Sequence, residues 1–184
     1  MPKKGQILKH PVTGDTYEYL ELSQDTGGER TTLKITLFKA RLNPNHFHVY
    51  QDECFKVLSG KLTIWLEGKT TKLSPGQQVV LPKGKPHNHF NDDDEPVTFT
   101  QTVSPALDFE YWEENIIGLT ADGKLKTGKP NFMQDLVTLK YLDSKTYHAE
   151  IPLFIQKLVM NLVGPVGRLL GYRAIYEKYS GIDK

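Results

Sequence analysis

The chain has 184 residues, of which 38% are hydrophobic and 24% charged, a composition typical of one folded domain with a substantial core. Its net charge of +1 gives no electrostatic reason to expect nucleic acid or an anionic membrane surface as a partner. The single cysteine, Cys54, excludes an intrachain disulfide and a zinc site built on cysteines. We see no secretory signal and no run of about 18 apolar residues, so we expect a protein of the reducing cytoplasm.

Residues 9–103 consist of short apolar or alternating runs separated by turns rich in glycine, proline and acidic residues. Many short strands at this spacing predict an antiparallel sandwich or a small barrel. The predicted strands cover residues 31–38, 54–58, 62–66, 70–73, 78–81 and 97–103.

Helical patterns replace the strands after residue 104. Asp108 is placed to cap a helix that runs to about Leu119 and carries its apolar residues on one side, namely Leu107, Trp112, Ile116 and Ile117. Residues 132–142 fit a strand or a helix, because their periodicity does not decide. A further helix opens at Pro152, and we expect it to break at Gly164-Pro165, to resume, and to stop at Gly171.

The last of these helices, residues 151–172, is amphipathic but is interrupted by Lys157, Asn161 and Arg168. Packing on the outside of the β domain or across a dimer explains such a stripe, and a membrane-surface helix or a lid are the alternatives. The aromatic side chains of Phe109, Tyr111 and Trp112 fit a lid or a core.

Two stretches, residues 44–53 and 82–89, hold four of the six histidines. His46 and His48 lie two apart, so on a strand both imidazoles leave the same face. Glu53 follows beyond a turn, and His87 comes from a distant strand. Three neutral imidazoles and one carboxylate around a common point suit a divalent transition metal.

The spacing of these residues follows two motifs. The first is His-x-His-x4-Glu-x6-Gly and the second is Gly-x5-Pro-x-Gly-x2-His-x3-Asn, filled by His46, His48, Glu53 and Gly60, and by Gly76, Pro82, Gly84, His87 and Asn91. In composition and spacing this resembles the two signature motifs of the cupin superfamily, over roughly residues 33–103. One position departs, because the family has glycine where this chain has Ala40. That glycine belongs to a turn and not to the metal shell.

The resemblance implies a mainly β protein, an antiparallel jelly-roll (cupin) barrel with a helical C-terminal extension. Residues 1–104 would form the barrel and an N-terminal arm, and residues 105–184 an extension that is not an independent domain. The implied metal ligands are His46, His48, Glu53 and His87, with Asp52 as the alternative to Glu53. Fe(II), Mn(II), Ni(II), Co(II), Cu(II) and Zn(II) all suit this donor set, and spacing does not choose among them.

Strand alternation also predicts which side chains surround the metal. The interior candidates, on the strands of Glu53 and His87, are Phe55, Val57, His89 and Asn91. We expect His89 to be a hydrogen-bonded interior or rim histidine and not a ligand. His10 and His148 stand alone and are expected at the surface or in loops, and Cys54 is expected to be a buried thiol.

The function implied by the resemblance is that of a metal-dependent enzyme acting on a small molecule. The leading hypothesis is a dioxygenase-like oxidoreductase, similar to the quercetinase-like cupins, in which Glu53 is both a ligand and a general base. Two alternatives stay open, a non-catalytic module that binds metal and ligand, and a metal-assisted isomerase or epimerase. A homodimer is expected by analogy with cupins alone.

Overall fold

The structure, a computed structural model, describes residues 1–38 and 44–184. Two antiparallel sheets form the larger part of its regular structure, and four α-helices lie in the C-terminal half. The prediction of a mainly β, antiparallel protein with C-terminal helices is therefore confirmed. Ala40, where the chain departs from the cupin pattern, lies outside the described residues.

The strands of the described residues are β1 (Ile7–Lys9), β2 (Thr16–Glu21), β3 (Thr31–Leu37), β4 (His46–His48), β5 (Asp52–Ser59), β6 (Leu62–Leu66), β7 (Lys69–Leu73), β8 (Gln78–Leu81), β9 (His87–Phe90), β10 (Val97–Ser104) and β11 (Thr146–His148). One sheet has the order β1-β2-β3-β10-β5-β8, and the other has the order β11-β4-β9-β6-β7. The predicted strands lie within two residues of the observed ones at each end.

The period of two in the strand sequences explains the core between the sheets. In β10 every second side chain is buried, and Val97, Phe99 and Val103 are fully enclosed. β5 contributes Phe55 and Val57 to the same cluster, at 0% and 1% exposure. Alternation of apolar and polar residues therefore places one face of each central strand in the core.

The helices are α1 (Phe109–Ala121), α2 (Phe132–Tyr141), α3 (Leu153–Leu169) and α4 (Glu177–Ser180). The ambiguous residues 132–142 are thus helical up to Tyr141. The side chain of Asn131 accepts a hydrogen bond from the Gln134 N–H, which caps the first turn of α2.

The predicted break at Gly164-Pro165 is wrong, since α3 continues through both residues. Gly164 and Gly167 are buried against α2, and a Cβ atom on Gly167 would lie 2.6 Å from Cγ2 of Val137. The absent side chains let the two helices approach closely. This packing keeps α3 continuous although Pro165 donates no backbone hydrogen bond.

Asp108 precedes α1 as predicted, but its side chain does not cap that helix. Its carboxylate accepts hydrogen bonds from the backbone N–H groups of Asp143 and Ser144, at 2.7 Å each, and from Lys184 Nζ at 2.8 Å. Asp108 therefore fastens the segment after α2 to the start of α1. Leu107 lies before the helix and is 37% exposed, so it does not join the buried face.

The strand β11 was not predicted. It pairs antiparallel with β4, so that Thr146 lies opposite His48 and His148 lies opposite His46. Directly opposed residues in an antiparallel pair place their side chains on the same face. A segment far from the predicted ligands in sequence therefore lies beside two of them.

The helix α3 buries one face against α2 and leaves the other exposed. Its outward side chains include Phe154, Leu162 and Leu169, which are 72%, 66% and 88% exposed. Of the described residues that line the cavity next to the histidines, none belongs to α3, whereas α1 and α2 both contribute. Among the described residues, no helix is both long enough and apolar enough to cross a membrane.

Candidate metal centre and adjoining cavity

The four predicted ligands come together from both sheets. β4 carries His46 and His48, β9 begins with His87, and Glu53 lies near the start of β5 in the other sheet. One ligand atom from each of the four residues lies within 4.8 Å of the others. The cluster could therefore hold a metal ion. Asp52, the alternative carboxylate, lies outside the cluster and accepts a hydrogen bond from the Lys83 N–H at 2.7 Å.

Backbone carbonyl groups orient two of the imidazoles. The Nδ1 atom of His46 lies 2.9 Å from the Pro44 carbonyl oxygen, and Nδ1 of His87 lies 2.8 Å from the Lys85 carbonyl oxygen. Because a carbonyl oxygen only accepts, each Nδ1 must carry the proton in these hydrogen bonds. In the neutral form of each ring, Nε2 then carries the free lone pair that a metal ion requires.

The third imidazole is oriented from β11. The Oγ1 atom of Thr146 lies 2.8 Å from Nδ1 of His48, so the hydroxyl can accept the Nδ1–H. His48 then also has its proton on Nδ1 and its lone pair on Nε2. A hydroxyl from the C-terminal segment thus performs for His48 what a backbone carbonyl does for the other two.

The carboxylate of Glu53 lies between two of these imidazoles. Its Oε1 atom is 3.3 Å from Nε2 of His48, and its Oε2 atom is 3.2 Å from Nε2 of His87. Gln101 donates a hydrogen bond from Nε2 to Oε1 at 2.8 Å. Burial opposes ionisation of Glu53, but the positive charge and the hydrogen bonds of His48 and His87, when these rings are protonated, outweigh it and hold the pKa of this carboxyl well below its ordinary value.

The positions of the ring protons and lone pairs at the candidate metal centre favour a bound cation. The buried Nε2 atoms of His48 and His87 and the Oε2 atom of Glu53 have no hydrogen-bond partner among the described residues. With the ring protons on Nδ1, lone pairs of nitrogen and oxygen face each other. Such an arrangement is costly in a buried site unless a positive charge lies between the atoms. Burial, together with His48, lowers the pKa of His46 to about 3, so the His46 ring is neutral.

Comparison with known proteins agrees with this geometry. Residues 38–103 match the family model of the cupin domain. "Probable oxidoreductase virH" of Hypocrea virens is 30% identical over 150 residues, which cover 74% of this chain and 67% of that protein. The chain belongs to the cupin family.

Other relatives of this cupin are more distant or longer. "Epoxidase atD" of Aspergillus terreus is 29% identical over 151 residues, which cover 74% of this chain and 46% of that protein. "Quercetin 2,3-dioxygenase" of Bacillus subtilis is 28% identical over 82 residues, which cover 44% of this chain and 24% of that enzyme. The cupin spans about half the length of the first curated relatives that it matches.

A cavity of about 400 Å³ adjoins the metal centre of the cupin. Its wall includes His46, His48 and Glu53, and more than half of its lining residues belong to the segment 105–184. From α1 the aromatic side chains of Phe109 and Trp112 reach the cavity, whereas Tyr111 packs in a separate cluster with α2. The helical segment, residues 105–184, therefore forms the part of the cavity wall that the two sheets do not supply.

The four interior candidates have different positions. His89 lines the cavity, and its ring lies 4.7 Å from that of Phe55. Phe55 and Val57 lie in the core and do not reach the cavity wall. Asn91 lies outside the wall as well, because its Nδ2 donates to the carbonyl oxygens of Leu37 and Glu95 and so holds a turn. Nδ1 of His89 has no hydrogen-bond partner among the described residues, so the expected hydrogen bond of this ring is not observed.

His10 lies in a loop, as expected, but is buried there, and His148 is partly exposed but lies on a strand; both side chains line the cavity. His10 is 3% exposed, and its Nδ1 accepts hydrogen bonds from the N–H groups of Val12 and Thr13. His148 lies on β11, with Nε2 at 2.9 Å from a carboxylate oxygen of Asp135, which raises its pKa. Each histidine is isolated in sequence, and only the topology brings it to the cavity. Cys54 is partly buried and not fully enclosed.

Sequence reasoning missed Gln101, Thr146 and Glu113. No local signal marks Gln101 or Thr146, because each is defined by a partner on another strand. Glu113 did leave a signal, since it lies four residues after Phe109 and three before Ile116, on one helix face. All three of these α1 residues line the cavity. A carboxyl group on an apolar helix face is unusual enough to mark a candidate site.

Proposed function

We propose that this cupin is a metal-dependent oxidoreductase that acts on a small, largely apolar molecule. The observation that carries the proposal is the convergence of buried lone pairs on His48, His87 and Glu53 without a hydrogen-bond donor between them. The proposed ligands are these three residues and His46, and the ion is one divalent transition metal. The two sheets would then form the two faces of a jelly roll that encloses the ion.

The protein's own contribution to such a centre is preorganisation. The Nδ1 contacts fix the orientation of the three imidazoles, and Gln101 fixes one oxygen of Glu53. When bound, a divalent metal supplies Lewis acidity and coordination sites for a substrate oxygen or for dioxygen. A general-base role for Glu53, expected from the sequence, stays a prediction.

The choice of oxidoreductase is supported by the names of the relatives. Three of them are called an oxidoreductase, an epoxidase and a quercetin 2,3-dioxygenase. The cavity supports it as well, because apolar side chains such as Ile35, Leu139 and Leu142 share its wall with the metal-centre residues. We therefore favour a dioxygenase-like reaction of an aromatic or enolic compound over the binding and isomerase alternatives.

We also propose that residues 1–104 and 105–184 act as one functional unit. The second segment supplies Thr146 next to His48, and it supplies most of the cavity wall. A β domain without it would lack both.

The test begins with metal reconstitution. The purified protein is loaded in turn with Fe(II), Mn(II) and Ni(II), its metal content is measured, and oxygen uptake is followed with a flavonol, a catechol and a β-diketone. We expect about one metal ion per chain and oxygen uptake with at least one pair of metal and substrate. Full metal occupancy without any oxygen uptake would overturn the oxidoreductase assignment. Turnover without oxygen would favour an isomerase, and a retained but unconverted compound would favour a binding module.

A further inference from the structure

The carboxyl group of Glu113 faces the cavity from α1 and has no partner in the part of the chain that the structure describes. Its side chain is part of the cavity wall and is only partly buried. Within residues 1–38 and 44–184, no hydrogen bond or ion pair to this carboxyl is observed. Its neighbours in the wall include apolar side chains of the same helix and of β3, namely Phe109, Ile116, Ile35 and Leu37.

Two buried carboxylates near Glu113, those of Glu110 and Asp15, are in contrast satisfied by the protein. Glu110 accepts hydrogen bonds from the N–H and the hydroxyl of Ser23, at 2.8 and 2.7 Å. Asp15 accepts hydrogen bonds from the Thr13 hydroxyl and the Phe38 N–H, at 2.5 and 2.8 Å. The Glu113 carboxyl lines the cavity without such a partner among the described residues, so it is available to a ligand, and titratable groups placed in this way mark candidate sites.

We propose that Glu113 is a catalytic residue that binds the hydroxyl group of the substrate and takes its proton. The substrate O–H bond breaks, the proton passes to a carboxylate oxygen of Glu113, and the electron pair stays on the substrate oxygen. Glu113 returns the proton to the product or to solvent. This inference rests on the proposed function, because it assumes that the substrate occupies the cavity beside the metal centre.

The charges around Glu113 suit this role. Burial raises the pKa of Glu113 to about 7, and the negative charges of Asp15 and Glu53 add to the effect. Other titratable groups that line the same cavity are Tyr17 of β2, His89 of β9, His10, Lys129 and the pair of Asp135 and His148. A general acid or base works best when its pKa lies near the working pH.

The cavity also limits the chemical class of the substrate. A volume of about 400 Å³ admits a molecule of one or two rings, and the mixed wall favours an apolar body with few polar groups. The substrate must carry a hydroxyl whose proton can pass to a carboxylate, which favours phenols and enols over aliphatic alcohols. We therefore assign phenolic or enolic compounds as the substrate class.

Proton release on binding tests this inference without turnover. Zinc-loaded protein is titrated with catechol at about pH 8, where a phenol with a pKa near 10 keeps its protons in solution. Calorimetry in two buffers of different ionisation enthalpy gives the number of protons released per catechol bound. We expect Glu113→Gln to release more protons than the wild type, by up to one per catechol, because the substrate oxyanion raises the pKa of Glu113 above about 7 and the amide cannot take a proton. Glu113→Asp should restore part of the wild-type value.

The controls separate this inference from the proposed function. Glu29→Gln removes an exposed carboxylate and should give the wild-type proton count. Equal proton release by the wild type and Glu113→Gln would overturn the role of Glu113, and absence of catechol binding to the wild type would overturn the substrate class. The zinc content of the same samples is measured separately. If zinc does not bind, the proposed function fails, and the proton count is read from catechol titrations of the metal-free protein.

Discussion

Glu53 and Glu113 face the same cavity from different walls, one from β5 and the other from α1. Imidazoles and the Gln101 amide surround Glu53, and its pKa is lowered, whereas apolar side chains and other carboxylates surround Glu113, and its pKa is raised. Burial acts in the same direction on both groups. The difference teaches that the neighbouring donors, and not burial alone, decide which carboxyl keeps its proton.

The two walls of the cavity also differ in whether their residues match the cupin family model. The wall with Glu53 lies inside the residues that match the cupin family model, and the wall with Glu113 lies outside them. The first wall holds donors that could bind a metal ion, and the second supplies most of the other cavity-lining side chains. On the proposed function, metal binding and substrate contact therefore depend on different parts of the chain, and each part can be tested by separate substitutions.

The largest expected effect concerns the metal wall. His87→Ala removes a ligand atom and should lower metal affinity by more than about 100-fold, since even outer contacts to metal ligands are worth 10- to 100-fold. Elemental analysis after dialysis measures the effect. His148→Ala is the matched control, because it removes an imidazole from the same cavity but outside the ligand cluster. Equal metal contents of the two variants would contradict the ligand assignment.

A smaller effect is expected at the helical wall. Unfolded Glu113 ionises near pH 4.5, whereas the folded carboxyl holds its proton up to about pH 7. Between these values the folded state binds more protons, so the wild type loses stability relative to Glu113→Gln as the pH rises. The full shift corresponds to about 3 kcal/mol at pH 8, and screening by water at this partly buried position lowers it, so we expect the variant to be more stable by about 2 kcal/mol at pH 8 and equal to the wild type at pH 4.

Urea unfolding at both pH values measures this difference in the free energy of unfolding. Glu29→Gln, at an exposed position, should show no comparable dependence on pH. The stability difference between the wild type and Glu113→Gln could instead be the same at both pH values. That result would contradict the raised pKa of Glu113, and with it the difference between Glu113 and Glu53.

The smallest expected effect concerns a contact between the β segment, residues 1–104, and the helical segment, residues 105–184. Thr146→Val keeps the shape of the side chain but removes the hydroxyl next to Nδ1 of His48. We expect metal affinity to fall about tenfold, because the ring loses the contact that fixes its proton and orientation. Thr146→Ser keeps the hydroxyl and should stay near the wild type. Competition with a chelator measures the metal affinity of both variants. Equal affinities of Thr146→Val and Thr146→Ser would show that the hydroxyl does not orient His48.

Local pattern was sufficient to predict the main strands between residues 31 and 103 and to identify the four ligand candidates, but not to place β1, β2 and β11. His46 and His48 needed only the alternation of a strand, and the turns around β6 to β8 were marked by glycine and proline. The positions of His10, His148 and Thr146 could not be predicted, since each depends on pairing between residues far apart in sequence. The continuity of α3 depends likewise on its contact with α2, which overrides the signal of Gly164-Pro165.

The position of β11 in its sheet has a consequence for any shortened form of the protein. β11 is the terminal member of its sheet and covers one side of β4. A fragment that stops before residue 146 would turn β4 into an edge strand, with unpaired backbone groups beside His46 and His48. Such edges attract strands from other molecules, so the fragment should self-associate through the very strand that carries two of the histidines.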